Sequence, residues 1–340
     1  MSHHIQAPPQ PWHAQTWRQQ AMAWIEGRLD KLNIELTGPA QQIHLTQWST
    51  VLQIPISSGS VFFKATLPAL AYEAAVTDFL GRQQPHRTIP PLATDPDRGW
   101  MILPAAGAPL RPQLNSLADL HLWEEALPVY ARLQLDLVDH VSTLPSLGVP
   151  DRRPETLLQE LEQIVANPEA VRHDKSFGLE TGYLEKLPQL ASRLGVLARS
   201  LAFYGLPATL DHGDLHDNHV LPTESGFRFY DWGECAVAHP FFSLRTAFVS
   251  VENRLNLTEN DPAFDPLLQA YLRTWTDYGS LTELNRAYLL SEPLASLSTL
   301  VRWWRVLTGI APEGQSEYAY VVPSLLEEII DKVDVTDSLT

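Results

Sequence analysis

The stretch LDHGDLHDNHVL, from Leu210 to Leu221, decides how this sequence is interpreted. It places three histidines, three aspartates and one asparagine within twelve residues, and apolar residues close it at both ends. A solvated acidic loop, a histidine metal site and a catalytic loop would each use such a composition. The residues that follow the stretch separate these alternatives.

A predicted β-hairpin follows directly, over residues 218–231. The segments HVLP and FRFYD flank the turn sequence TESG, which is typical of a strand–turn–strand unit. Asp214 precedes the first strand and Asp231 ends the second. Because an antiparallel pair brings its open ends together, we expect the two carboxylates to converge. Such a pair favours a magnesium–nucleotide site, since Mg²⁺ takes hard oxygen ligands and phosphates complete its shell.

Around this motif the sequence pattern changes from strands to helices. The N-terminal part shows helix patterns at 15–32 and 70–83, strand patterns at 42–45, 50–56 and 60–67, and a strand with a Pro/Gly-rich connector at 99–110. From residue 116 onward helical periodicity dominates. The sequence therefore predicts an α+β protein with a small β-rich N-lobe, residues 1–104, and a larger, mainly helical C-lobe, residues 105–340.

The motifs HGDLHDNH and YDWGECAVAHPFFSL resemble the catalytic loop and metal-binding segment of the aminoglycoside phosphotransferase and choline kinase-like superfamily. The usual pattern there is H-G-D-x-x-x-x-N, a hairpin, and then an aspartate. The resemblance covers most of the chain and implies a bilobal protein-kinase-like fold. It implies that Asp214 is the catalytic base, that Asp231 binds Mg²⁺, and that His212 and His216 brace the loop. For Asp217, contact with metal or substrate is one interpretation, but we expect a solvated loop carboxylate.

The N-terminal lobe carries a second part of the resemblance. The segment VFFKA resembles the strand whose lysine holds the α- and β-phosphates of a nucleotide, here Lys64. A buried lysine needs a charged partner, and Glu73 on the following helix is the matching residue. The segment MILPAAG resembles the one at which adenine bonds to the main chain, at Leu103 to Ala105. ATP or GTP is thereby implied as the phosphate donor.

Two segments depart from the superfamily pattern. Residues 46–50, TQWST, contain no glycine-rich loop, so phosphate clamping would use main-chain N–H groups or the hydroxyls of Ser49 and Thr50. In HPFFSL, Ser243 stands where many relatives carry an aspartate that braces the catalytic loop. We expect Ser243 to affect stability rather than chemistry.

His219 occupies the position at which the superfamily pattern has its metal-binding asparagine. It lies five residues after Asp214, and Asn218 lies one position early. Imidazole suits softer ions better than Mg²⁺. Three interpretations stay open: His219 takes over the ligand role, Asn218 reaches the position through a local bulge, or one metal position is lost.

The predicted function is transfer of a phosphoryl group from ATP or GTP, with Mg²⁺, to a hydroxyl of a small molecule. The missing glycines and His219 favour one alternative, a non-catalytic, pseudokinase-like binding protein. A zinc hydrolase using His212, His216 and His219 would need these residues on one helix face, which Gly213 and the adjoining strand oppose.

Composition limits the other function classes. The net charge of −16 over 340 residues argues against nucleic-acid binding. The whole acidic excess lies in residues 105–340. Solubility is the first interpretation of this excess, and a cationic or amino-sugar-like acceptor is the second. Cys235 is the only cysteine, which excludes an internal disulfide. The sequence has neither an apolar run long enough for a membrane span nor a signal-peptide pattern, so we expect a cytoplasmic protein.

Overall fold

Among the residues that the computed structural model describes, 11–172, 176–310 and 316–336, the N-terminal part forms a five-stranded antiparallel sheet in the order β1-β2-β3-β5-β4. Its strands are β1 (Gln41–Leu45), β2 (Ser49–Ile56), β3 (Gly59–Thr66), β4 (Ala93–Asp95) and β5 (Trp100–Pro104). β2 and β3, which correspond to the strand patterns at 50–56 and 60–67, form a hairpin with Ile56 opposite Gly59. Gly59 has a φ of 129°, a conformation that favours glycine.

Two helices accompany this sheet, α1 (Gln15–Lys31) and α2 (Tyr72–Gln83). The ring of Trp24 on α1 packs against Phe63 of β3 and Trp100 of β5, with centroids 5.9 and 5.8 Å apart. A fully buried large apolar side chain contributes about 1.5–3 kcal/mol to stability. The hydrophobic core of this part of the chain therefore lies between α1 and the sheet.

Alternation along β3 decides where Lys64 lies. Phe63 and Ala65 are buried in the core that α1 covers, and successive residues of a strand point to opposite faces. Lys64 therefore leaves this core, and it contacts α2 through Glu73.

The remaining chain is mainly helical. Its helices are α3 (His121–Asp136), α4 (Pro154–Val165), α5 (Pro168–Val171), α6 (Thr181–Leu184), α7 (Leu187–Ala202), α8 (Phe242–Leu255), α9 (Phe264–Leu272), α10 (Leu281–Gly309) and α11 (Val321–Thr336). The core contains fully buried aromatic side chains of α3 and α9, among them Trp123, Tyr130 and Tyr271. These buried side chains agree with the helical periodicity that the sequence shows from residue 116 onward.

Two short antiparallel pairs flank the stretch that opened the sequence analysis. β6 (Thr209–Asp211) pairs with β9 (Ala236–Ala238), and β7 (Val220–Thr223) pairs with β8 (Gly226–Phe229). The predicted hairpin is thus present, with Thr223 opposite Gly226 across the turn. The loop from His212 to His219 is held at both ends by strands.

The chain divides into two compact units. The first unit consists of Met1–Gly107, Tyr230–Gly233 and Val306–Ser316, and the second of Ala108–Phe229, Glu234–Arg305 and Glu317–Thr340. The sheet lies in the first unit and most helices lie in the second, so the predicted α+β class is confirmed. The lobe boundary between residues 104 and 105 stays a prediction. None of the described helices is long and apolar enough to cross a membrane.

Candidate functional site

Lys64 is the centre of a charged cluster in the first unit. Its Nζ lies 2.7 Å from Oε1 of Glu73 and 2.7 Å from Oδ1 of Asp231. Glu73 is almost fully buried, whereas a third of the Asp231 side chain is exposed. The structure therefore brings together three of the predicted site residues, and it gives Lys64 the buried acidic partner that the sequence predicts.

Burial and charge set the protonation of this cluster. Burial alone would lower the pKa of Lys64, but the charges of Asp231 and Glu73 raise it above its ordinary value. Burial, opposed by the charge of Lys64, raises the pKa of Glu73 to about 7. Lys64 is therefore a fixed ammonium group, and such a group is suited to donate hydrogen bonds to phosphate oxygens.

The main chain around Asp231 lies in close contact with Glu73 and Tyr72 of α2. Asp231 has a φ of 67°, in the left-handed region that non-glycine residues seldom occupy, and such conformations concentrate at functional sites. A Cβ on Gly233 would lie 3.0 Å from Oε2 of Glu73. The hydroxyl of Tyr72 on α2 donates to the main-chain oxygen of Gly233 at 2.6 Å. These contacts fix Asp231 relative to α2.

The chemistry of Asp231 fits a magnesium ion. Mg²⁺ prefers carboxylate oxygens and keeps part of its shell for water or phosphate. Asp231 offers a partly exposed carboxylate beside a fixed lysine, and these two residues would suit a metal-bound phosphate.

Asp214 is the centre of a different set of contacts, in the second unit. Its Oδ2 lies 3.5 Å from Nε2 of His216, and its Oδ1 lies 3.6 Å from Nη1 of Arg302 on α10. Arg302 is also ion-paired with Glu234, and only 9% of the Arg302 side chain is exposed. Burial would raise the pKa of Asp214, but the hydrogen bond from His216 and the charges of Arg302 and His219 together hold it well below its usual range. Asp214 is therefore an ionised carboxylate.

The imidazole of His219 is bonded to the loop itself. Its Nδ1 lies 2.9 Å from the main-chain oxygen of Asp214, so Nδ1 donates and the carbonyl accepts. Its ring lies 3.8 Å from the ring of His216, centroid to centroid, and the main-chain N–H of Asn218 donates to Nδ1 of His216 at 3.1 Å. The metal-binding roles of His219 and Asn218 stay predictions.

Donor atoms of Asp214, His216 and His219 lie within 4.8 Å of one another, close enough for a single metal ion. His216 also accepts a hydrogen bond at Nδ1, which fixes its proton on Nε2 when the ring is neutral. These contacts brace the loop from Asp214 to His219.

A buried polar network below the loop was not foreseen in the sequence, apart from Ser243. The Ser243 hydroxyl lies 2.5 Å from Oδ1 of Asp211 and 2.7 Å from the hydroxyl of Tyr130 on α3. The main-chain N–H of His212 donates to the Tyr130 hydroxyl at 3.0 Å, and that of Gly213 donates to Asp211 at 3.1 Å. Burial raises the pKa of Asp211. The sequence signals for this network are Ser243 at the bracing position and Asp211 inside the opening motif.

The expectation for Asp217 was wrong. Its side chain is fully buried, and its Oδ1 lies 2.7 Å from Nη2 of Arg111. The main-chain N–H of Asp217 points to the hydroxyl of Ser250 on α8 at 3.4 Å. A carboxylate in the middle of a polar motif looks solvated in sequence, but an arginine 106 residues away makes its burial possible.

The other predicted nucleotide-binding residues lie on the sheet. Ser49 begins β2 and is 6% exposed, and its hydroxyl contacts that of Thr46 at 3.1 Å. Leu103 lies in β5, and Ala105 follows the end of that strand. Their roles toward a nucleotide stay predictions.

Comparison with known proteins supports the fold that the motifs imply. No family model matches the sequence, and no curated protein matches it. Solved structures do match. A choline kinase from Cryptosporidium parvum has a TM-score of 0.61 and 15% identity, and the match covers 94% of this chain and 97% of that one. The Plasmodium vivax ethanolamine kinase has a TM-score of 0.60 and 14% identity, with 93% and 85% covered.

A third structure is a thermostable mutant of an aminoglycoside phosphotransferase in a ternary complex with AMP-PNP and hygromycin B. It matches with a TM-score of 0.50 and 14% identity, over 91% of this chain and 98% of that one. The chain therefore has the α+β, protein-kinase-like fold of these kinases and phosphotransferases. The resemblance inferred from the motifs is confirmed at the level of the fold.

Proposed function

We propose that this protein transfers the γ-phosphoryl group of ATP or GTP to a hydroxyl group of a small molecule. The observation that carries the proposal is the cluster in which Lys64 is 2.7 Å from both Glu73 and Asp231. A lysine held by a helix glutamate and an aspartate after the hairpin is the arrangement that kinase-type phosphate binding requires. The structural neighbours, which are choline, ethanolamine and aminoglycoside kinases or phosphotransferases, agree with it.

In this proposal each residue of the chain has one task. Lys64 donates hydrogen bonds to the α- and β-phosphates, and Glu73 keeps its ammonium group in place. Asp231 holds Mg²⁺, with Asn218 and His219 as the predicted further donors. When bound, Mg²⁺ neutralises charge on the phosphate oxygens.

Asp214 would orient the acceptor hydroxyl and take its proton. The hydroxyl oxygen forms a bond to the γ-phosphorus, the bond from that phosphorus to the β–γ bridging oxygen breaks, and the nucleoside diphosphate leaves. Because the pKa of Asp214 is held low, its carboxylate is a weak base. Such a group suits a loose transition state, in which the hydroxyl needs orientation early and loses its proton late.

The proposal is tested by measuring nucleotide turnover with ATP and GTP across a panel of hydroxylated acceptors, at several Mg²⁺ concentrations. We expect turnover that depends on an acceptor and on Mg²⁺, and its loss in Asp231→Asn. The exposed Asp277→Asn variant is the matched control and should behave as wild type. Turnover by Asp231→Asn equal to that of the control would overturn the metal-binding role.

One alternative is supported by the absence of a glycine-rich loop at residues 46–50 and by the bond of His219 to the Asp214 main chain. It is a binding protein that retains the nucleotide site without catalysis. Calorimetric titration with Mg–ATP, combined with the turnover assay, separates the two functions. Nucleotide binding without turnover on any acceptor would favour the binding protein.

A further inference from the structure

A cavity of about 390 Å³ lies beside the catalytic loop in the second unit. Its polar lining residues are Arg111, His216, Thr246, Ser250, Asn253 and Arg254. None of the residues that line it among the described parts of the chain is acidic. This cavity is basic in a protein whose net charge is −16.

Arg254, near the C-terminal end of α8, is held in place by the protein on one side only. Its Nε donates to the main-chain oxygen of Leu114 at 2.7 Å, and its Nη2 donates to Oδ1 of Asn115 at 3.2 Å. No described residue accepts a hydrogen bond from its Nη1. A guanidinium anchored to neutral groups keeps its full positive charge for a ligand.

Arg111 is anchored in a similar way. Its Nε and Nη2 both contact Oδ1 of the fully buried Asp217, at 2.7 Å each. Its Nη1 also has no acceptor among the described residues. Asp217 neutralises much of the charge of Arg111 but fixes the orientation of its guanidinium plane. The cavity thus contains two preorganised guanidinium groups, with one net positive charge after Asp217 is counted.

His216 connects this cavity to the chemistry of the loop. Its side chain lines the cavity, and its Nε2 lies 3.5 Å from the carboxylate of Asp214. A molecule that contacts His216 in the cavity would therefore be separated from the proposed base, Asp214, by a single side chain.

We propose that this cavity binds the acceptor and that the acceptor carries an anionic group, a carboxylate or a phosphate, which Arg254 and Arg111 recognise. That the bound molecule is the acceptor rests on the proposed function. That the bound molecule is an anion rests on the cavity alone. The proposal replaces the cationic acceptor that the overall charge favours, because an ion within contact distance outweighs screened charges farther than about 8–10 Å away.

The binding test uses compounds that share a hydroxyl group and differ in charge: glycerol 3-phosphate, D-glycerate, glycerol and choline. Isothermal titration is carried out with wild type, Arg254→Gln and Arg273→Gln, the last being an exposed arginine outside the cavity. We expect the two anions to bind wild type and the Arg273→Gln control, and glycerol and choline to bind at least about tenfold more weakly. Arg254→Gln should weaken anion binding about tenfold, since charge-assisted hydrogen bonds are lost.

Equal affinity for glycerol and glycerol 3-phosphate in wild type would overturn the inference, and so would absence of binding by both anions. Equal losses in Arg254→Gln and Arg273→Gln would also overturn it, because they would indicate unspecific attraction. The same compounds are then offered with ATP and Mg²⁺. Anion binding that requires Arg254, without phosphoryl transfer to these compounds or to any acceptor of the wider panel, supports the cavity and contradicts the proposed function. Transfer to a neutral or cationic acceptor without anion binding supports the function and contradicts the cavity.

Discussion

At the scale of single residues, neighbouring charged groups fix the protonation states of Lys64 and Asp214. Lys64 is kept protonated by two carboxylates at 2.7 Å, and Asp214 is kept ionised by His216 and Arg302. Lys64 and Asp214 could be picked out from sequence because each lies in a short motif. Arg302 could not, because it lies 88 residues after Asp214 in a helix that resembles an ordinary core helix.

The role of Arg302 can be tested through the pH dependence of the reaction. Replacing Arg302 with Met removes a positive charge beside Asp214, so the pKa of Asp214 should rise toward its ordinary value. In wild type, kcat/KM should stay constant at low pH down to the pH of unfolding. In Arg302→Met, kcat/KM should begin to fall at a higher pH.

Arg302→Lys restores the charge and should restore the flat acid side at least in part. A merely structural role would lower kcat/KM in Arg302→Met equally at every pH. Identical profile shapes for wild type and Arg302→Met would therefore contradict a positioning role toward Asp214.

At the scale of structural elements, the loop from His212 to His219 is shaped by the strands on either side and by the network of Asp211, Ser243 and Tyr130. The hairpin and four of the sheet strands, β1, β2, β3 and β5, could be predicted from sequence, because alternation and turn residues are local signals. The three-residue strand β4 was not predicted. The network and the burial of Asp217 could not, because they depend on residues from α3, α8 and the segment before α3 that meet only in the folded chain.

Gly213 tests how tightly this loop is packed. It has a φ of 75°, and a Cβ at this position would lie 2.1 Å from the main-chain oxygen of Glu234. Gly213→Ala should lower the free energy of unfolding by more than about 2 kcal/mol, measured by urea denaturation, because backbone strain and a main-chain clash add.

Gly205 provides the matched control. Its φ of 67° is similar, but nothing lies within 4 Å of a Cβ there. Gly205→Ala should cost only the conformational strain, about 1–2 kcal/mol. Equal costs for the two substitutions would show that the contact with Glu234 does not constrain the loop.

At the scale of the whole molecule, the fold could be predicted and the ligand could not. The order of the lysine strand, helix glutamate, catalytic loop and hairpin specifies the fold even without a sequence relative that matches. The overall acidity, by contrast, predicts a cationic acceptor, whereas the cavity beside the loop is basic. Net charge averages over a surface, and a binding site depends on the few charges that line it.

Buried ionisable groups should also control stability as pH changes. Burial lowers the pKa of His239 to about 3, against an ordinary value of 6.5. Between these values the unfolded chain binds a proton that the folded chain does not. Stability from this group is therefore fully present above pH 6.5 and falls as the pH decreases toward 3, by up to about 1.4 kcal/mol per pH unit.

His239→Asn keeps an acceptor for the main-chain N–H of Phe241, which Nδ1 of His239 accepts at 3.3 Å, and removes the titration. Urea denaturation between pH 4 and 7 should show a shallower loss of stability in this variant than in wild type. The exposed His86→Asn substitution is the control and should keep the wild-type slope. A slope for His239→Asn as steep as that of the control would exclude His239 as the cause.

The central claim is that Asp214 acts on an acceptor hydroxyl during phosphoryl transfer. The most direct measurement is the initial rate at which phosphorylated acceptor and nucleoside diphosphate form together, for wild type, Asp214→Asn and the control Asp277→Asn. We expect Asp214→Asn to fold and to bind nucleotide as wild type does, and to transfer phosphate at least about a hundredfold more slowly. Transfer by Asp214→Asn at the rate of the control would contradict the proposed mechanism.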